Sequence, residues 1–125
     1  MSGRVVHFEI PYDDGERARA FYAAAFGWQV MELPAMDYTV ATTGPAGESG
    51  PPTEPGYVNG GLTRRSPSLR TPTVVIDVDD IDAALAKVEE LGGSTVLGST
   101  AVGEMGWSAY FTDTEGNVVG LWQTS

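Results

Sequence analysis

Apolar and polar residues alternate along the first segment of the chain, residues 4–10, in the manner of a β-strand. One face of this strand carries His7 and Glu9, and the opposite face carries Phe8 and Ile10. The apolar face is expected to meet the helix that follows. The face with His7 and Glu9 is therefore predicted to look into solvent or into a cleft.

A helix is predicted directly after this strand. Asp13 or Asp14 is in position to cap its N-terminus, and Gly27 is in position to end it in a left-handed conformation. Spacings of three and four residues predict one buried stripe on this helix, made of Ala18, Phe21, Tyr22 and Ala25.

Three further strands are predicted in the first half of the chain, at residues 28–33, 38–43 and 57–62. The segment 44–56 is so rich in Pro and Gly that it is predicted to be a loop, and loops of this length often border a site. Gly60 and Gly61 would let a backbone or a ligand approach the last of these strands closely.

The same order of residue types returns 66 positions later without a gap. The corresponding residues are Ile10 and Ile76, Asp14 and Asp80, Ala18 and Ala84, and Gly27 and Gly93. Two copies of so long a unit indicate two halves of one domain, since a solenoid needs three or more repeats.

In the second copy, strands are predicted at residues 73–78, 94–97, 107–112 and 118–123, with a loop at 98–106 and a hairpin turn at 113–117. The helix between the first two strands is predicted to bury Ile81, Ala84, Leu85, Val88 and Leu91.

These elements predict an α+β protein of two tandem βαβββ modules, each sheet covered by one helix, which together form an open half-barrel trough. Module 1 is placed at about 1–63, a linker at about 64–72 and module 2 at about 73–125. A concave site is the expected place for a ligand. The candidate ligand-binding residues are His7, Glu9, Tyr38, Asn59, Thr73, Asp77, Trp107, Tyr110 and Trp122.

Composition and charge limit the classes of ligand and of metal site that the protein could have. The 125 residues carry a formal charge of −10, which argues against nucleic acid and would favour a cationic ligand. The sequence has no run of about 18 apolar residues, so no membrane-spanning segment is predicted. The absence of Cys excludes thiolate metal sites and fits a reducing cytoplasm.

Three stretches together resemble the vicinal oxygen chelate superfamily, which includes glyoxalase I, the bleomycin-resistance proteins and the extradiol dioxygenases. They are the strand 7–11, the helix and following turn at 17–28, and the terminal hairpin at 113–122. The resemblance covers nearly the whole chain. It implies paired βαβββ modules, commonly a homodimer, and in the catalytic members a divalent metal held by four strands.

The resemblance implies four metal-ligand positions, and when they are compared one by one with this sequence, a ligand is present at one of them. His7 stands at the ligand position of the first strand, and Thr73 occupies the equivalent position of the second copy. Gly120 stands where a Glu is usual, and the fourth position falls at 59–61, where there is no carboxylate. We therefore expect no cofactor, and His7 is the one candidate ligand if a divalent metal binds.

Two functions follow as predictions. The first is a glyoxalase/bleomycin-resistance-like protein that binds a small planar or cationic molecule in a cleft, without the full metal-ligand set. The alternative is an enzyme of the same superfamily, a lyase, isomerase or dioxygenase. In it His7, with Glu9 or Asp77, is catalytic as metal ligand or as acid–base. A homodimer is expected, because an open sheet leaves strand edges unpaired.

Overall fold

A computed structural model describes residues 3–46 and 51–125 of the chain. These residues form two α-helices, a short 3-10 helix at Pro34–Met36 and eight strands. The α-helices and strands follow the order βαβββ–βαβββ, so the predicted α+β class and the tandem modules are confirmed. The chain divides into two compact units. The first unit is His7–Pro72, and the second contains Thr73–Ser125 together with the first residues of the chain.

The first unit holds a sheet with the strand order β2-β3-β4-β1. Its elements are β1 (Val5–Tyr12), α1 (Gly15–Phe26), β2 (Gln29–Leu33), β3 (Tyr38–Thr42) and β4 (Gly60–Arg64). β1 and β4 run parallel, whereas β4, β3 and β2 are antiparallel neighbours. β4 starts later and ends later than the predicted strand at 57–62, because residues 57–59 belong to the preceding loop. The predicted loop at 44–56 lies partly outside the described residues.

The ends of α1 follow from its capping residues. Of the two candidate caps, Asp14 is the one used: its side chain accepts a hydrogen bond of 3.0 Å from the backbone N–H of Arg17. Gly27 ends the helix with φ of 74°, a left-handed conformation that glycine adopts without a Cβ penalty.

The predicted buried stripe of α1 is wrong. No residue of α1 is fully buried; Ala18 and Tyr22 are half-buried, whereas Phe21 and Ala25 are exposed, Phe21 by 58%. The reason is that Tyr22 stacks on Trp28, with ring centroids 4.8 Å apart, and Trp28 in turn contacts Phe8 of the sheet. This aromatic contact turns the flank that carries Phe21 outwards.

The second unit holds a sheet with the strand order β5-β8-β7-β6. Its elements are β5 (Thr73–Asp77), α2 (Ile81–Glu90), β6 (Ser94–Val102), β7 (Gly106–Thr112) and β8 (Val118–Thr124). Asp80 caps α2, and a buried cluster joins α2 to the sheet through Ile81, Leu85, Ala109, Phe111 and Leu121. Ala84 and Val88 pack against this cluster as predicted, but Leu91 is 66% exposed because the helix ends before it.

A second correction concerns β6. The segment predicted as a strand at 94–97 and a loop at 98–106 forms one strand up to Val102, with β7 beginning at Gly106. Register shifts interrupt its pairing with β7 between Thr95 and Thr100, which hides the alternation that a regular edge strand would show. No helix of the described residues is long and apolar enough to cross a membrane.

Candidate functional site

The two faces of β1 have the separation that alternation predicts. Phe8 points to the side of α1, where it contacts Trp28. His7 and Glu9 lie on the opposite side, which they share with Tyr38 of β3. We call this surface of the first sheet the His7 face and define it by His7, Glu9, Tyr38, Val40 and Gly61.

A hydrogen-bonded chain connects three side chains on the His7 face. The Nε2 of His7 lies 2.7 Å from the hydroxyl oxygen of Tyr38, and that hydroxyl donates to Oε2 of Glu9 over 3.1 Å. Glu9 is only 8% exposed, and His7 and Tyr38 are half-buried. Hydrogen bonds in such a weakly solvated place hold the side chains more firmly than bonds in water would.

Gly61 makes room for this chain. A Cβ atom at position 61 would lie 1.8 Å from the hydroxyl oxygen of Tyr38 and 2.1 Å from its Cζ atom. The phenol of Tyr38 therefore crosses β4 at Gly61, one of the two adjacent glycines with which the strand begins. The Asn-Gly-Gly sequence indicated a close approach here, and the structure shows that the approaching group is a side chain of the protein itself.

The residue before Tyr38 is also held in place. Asp37 has a positive φ of 49°, which non-glycine residues adopt rarely. Its carboxylate accepts a bond of 2.9 Å from Nε of Arg64 and a bond of 3.3 Å from the hydroxyl of Tyr12. The guanidinium of Arg64 lies 5.7 Å from the centre of the Tyr12 ring. These contacts fix the chain where β3 begins, and therefore also fix the starting position of Tyr38.

Burial determines the charge of His7. Loss of solvent lowers the pKa of its imidazole below 6.5, because the cationic form is poorly solvated inside the protein. His7 is therefore neutral at physiological pH, with one nitrogen protonated and one carrying a lone pair.

Asn59 forms structural hydrogen bonds between β3 and the segment before β4. It is 7% exposed, and its side-chain oxygen accepts hydrogen bonds from the backbone N–H of Thr43, at 2.8 Å, and from the Thr43 hydroxyl, at 3.3 Å. These bonds tie the segment before β4 to the end of β3.

In the second unit, four of the predicted site residues share one sheet face and one does not. Thr73, Asp77, Tyr110 and Trp122 lie on the side opposite α2. Trp107 lies on the other side, in register with Gln123, whose side chain binds the N-terminus of α2. Alternation along β7 thus separates Trp107 from Tyr110.

The donor set does not fit a divalent metal with three protein ligands. Among the five residues that define the His7 face, His7 and Glu9 are the candidate metal ligands, and Nε2 of His7 is already bonded to Tyr38. Within residues 3–46 and 51–125, no three His, Cys, Asp or Glu side chains are grouped closely enough to hold a metal ion.

Comparison with known proteins places the chain in a family. Residues 4–44 match the family described as bleomycin resistance protein-like N-terminal. A glyoxylase-like domain-containing protein of Didymella fabae is 30% identical over 122 residues, which are 94% of this chain and 91% of that protein. The chain belongs to the glyoxalase/bleomycin-resistance family. The superfamily resemblance inferred from the sequence is thereby confirmed.

Two further similarities, one to a curated relative and one to a solved structure, limit what can be inferred about the activity of this chain. CFP32 of Mycobacterium tuberculosis, by its name a candidate glyoxylase, is 33% identical over 94% of this chain, but the chain spans only 44% of that relative's length. A variant of Streptomyces coelicolor methylmalonyl-CoA epimerase, solved with 2-nitronate-propionyl-CoA, has a TM-score of 0.69 over 100% of this chain and 96% of its own. At 16% identity, this likeness shows a common fold.

Three residues of the site were not found from the sequence: Tyr12, Asp37 and Arg64, which together hold the beginning of β3. No local motif marks them, because they come from three separate elements. Tyr38 was predicted as a ligand contact, but its bonds to His7 and Glu9 were not, since they depend on the pairing of β3, β4 and β1.

Proposed function

We propose that the protein binds a small organic molecule at the His7 face, in the manner of a sequestering bleomycin-resistance-like protein and without a full metal-ligand set. The observation that carries the proposal is the hydrogen-bonded chain of His7, Tyr38 and Glu9 on the sheet face opposite α1. It is a preorganised polar group, such as binding sites use to orient a ligand.

The ligand is expected to be planar or cationic. The Glu9 carboxylate and the formal charge of −10 favour positive charge and disfavour a polyanion. The epimerase of similar fold was solved with a CoA thioester. Such a ligand carries several phosphate charges, so we do not extend it to this chain.

A thermal-shift screen tests the binding proposal. Cationic and planar compounds are compared on the wild-type protein and on Tyr38→Phe, with Tyr57→Phe as a matched control, since Tyr57 bonds to Pro45 away from His7. A ligand of the His7 face should raise the Tm of wild type and of Tyr57→Phe more than that of Tyr38→Phe. A library without any stabiliser would refute the proposal.

The second candidate is an enzyme of the same family, a lyase, isomerase or dioxygenase relative, in which His7 transfers protons. The neutral imidazole, with its lowered pKa and its link to Glu9 through Tyr38, favours this alternative. Incubation with dihydroxyacetone in D₂O, followed by NMR, measures proton abstraction next to a carbonyl. His7→Ala should abolish any exchange while the fold is retained; unchanged exchange would remove His7 from the mechanism.

We also propose a homodimer. β2 and β6 are the outer strands of their respective sheets, and Phe21 and Phe26 are exposed by 58% and 64% on α1. Edge strands and exposed aromatic side chains both favour association. A monomer in light scattering at micromolar concentration would refute this assignment.

A further inference from the structure

The hydroxyl of Tyr38 has one proton, and both His7 and Glu9 lie within hydrogen-bonding distance of its oxygen. The 3.1 Å bond runs from the Tyr38 hydroxyl to Oε2 of Glu9, so the Tyr38 proton goes to Glu9. The 2.7 Å bond between His7 and Tyr38 then needs its proton from Nε2 of His7. Glu9 thus sets the tautomer of His7 through Tyr38, because the Tyr38 proton points to Glu9 and leaves the hydroxyl oxygen to accept from His7.

The other ring nitrogen of His7 has no hydrogen-bond partner among the described residues. Of all buried side-chain nitrogen and oxygen atoms in this part of the chain, none lacks a partner. The Nδ1 atom is therefore accessible from outside the protein. In the tautomer with a proton on Nε2, it carries a lone pair.

We propose that His7 presents Nδ1 as a hydrogen-bond acceptor on the His7 face, and that the ligand is recognised there through an N–H or O–H donor. The inference rests on the binding function proposed above and names the chemical class of the ligand. Tyr38 and Glu9 act as positioning residues in this arrangement, since they fix the tautomer.

The tautomer can be read without any ligand. His7 is the only histidine of the chain, so protein labelled with ¹⁵N-histidine gives a single set of ring signals. Long-range ¹H–¹⁵N correlation at pH 7.5 should show Nε2 protonated and Nδ1 unprotonated in the wild type and in Tyr57→Phe. In Tyr38→Phe the two forms should exchange. A wild-type ring protonated on Nδ1 would overturn the inference, whatever the outcome of the compound screen.

The acceptor role is tested with a matched pair of probes. Indole has one N–H donor and no strong acceptor, whereas 1-methylindole has nearly the same shape and no donor. Indole should shift the Nδ1 resonance of the wild type and bind about five- to tenfold more tightly than 1-methylindole, as one neutral hydrogen bond predicts. His7→Phe should remove the difference. Equal binding of both probes, or binding by neither, would refute the acceptor role, whereas the binding function itself fails only if the whole screen finds no stabiliser.

Discussion

Replacement of Gly61 by Ala gives the sharpest test of how the site is built. Backbone strain does not contribute, because Gly61 does not have a positive φ. The added methyl group would stand 1.8 Å from the hydroxyl oxygen of Tyr38 and 2.4 Å from its Cε2 atom, so the phenol must move away. The main cost is then the loss of two hydrogen bonds, to His7 and to the Glu9 carboxylate.

These two bonds set the expected magnitude. A neutral bond contributes about 1 kcal/mol and a bond to a charged group about 1.5–3 kcal/mol, so Gly61→Ala should lower the free energy of unfolding by about 2–4 kcal/mol. For a chain of this length, that corresponds to a fall in Tm of about 8–15 °C. Urea unfolding and differential scanning calorimetry measure both quantities.

Two control variants make the result specific. Gly98→Ala places a methyl group on β6 where no atom lies within 4 Å, so it should leave stability unchanged or raise it by up to about 1 kcal/mol. In the Tyr38→Ala background the clash is absent, and Gly61→Ala should cost about 0.5 kcal/mol or less. If Gly61→Ala matches Gly98→Ala, or costs as much without Tyr38 as with it, the steric reasoning is wrong.

Three further predictions concern the helices and the turn before β3. Asp14→Ala should lower the free energy of unfolding in urea by about 1 kcal/mol, because it removes the cap of α1. Asp13→Ala is the control, since it removes only an exposed ion pair worth about 0.5 kcal/mol. Equal losses would contradict the cap assignment. In the monomer, at a concentration checked by light scattering, Leu85→Ala should cost about 2–5 kcal/mol and Phe21→Ala less than 1 kcal/mol. The reverse order would contradict the burial of the two side chains within the chain. The Arg64 hydrogen bond lowers the pKa of Asp37 below 3.8, so its stabilisation is complete above that pH and is lost as the pH falls through the lower folded-state value. The stability difference between wild type and Asp37→Asn should therefore shrink in unfolding curves taken from pH 5 to pH 2, and a constant difference would exclude the carboxylate as its source.

Much of the fold could be predicted because its signals are local. The alternation of residues 4–10 separated Phe8 from His7 and Glu9, and the caps of α1 follow from the residue types at Asp14 and Gly27. The repeat at a spacing of 66 residues predicted the second module from the first.

The incorrect predictions have non-local causes. The buried stripe of α1 was wrong because Trp28, which lies beyond the end of the helix, stacks on Tyr22 and decides which flank packs. The predicted end of β6 was too early, because register shifts interrupt the alternation of its residues. The bonds of Tyr38 connect residues 31 and 29 positions apart, and they require the register of three strands, which no sequence pattern specifies.

The position of Tyr38 above Gly61 also constrains the order in which mutations can accumulate. A carboxylate at position 61 would supply a new charged group on the His7 face, but any side chain there collides with the phenol. A lineage that first loses Tyr38 can accept such a residue later at little cost, whereas the opposite order passes through a destabilised intermediate. Tyr38 and Gly61 therefore form an epistatic pair, and the two residues should be inherited together in sequences that descend from this one.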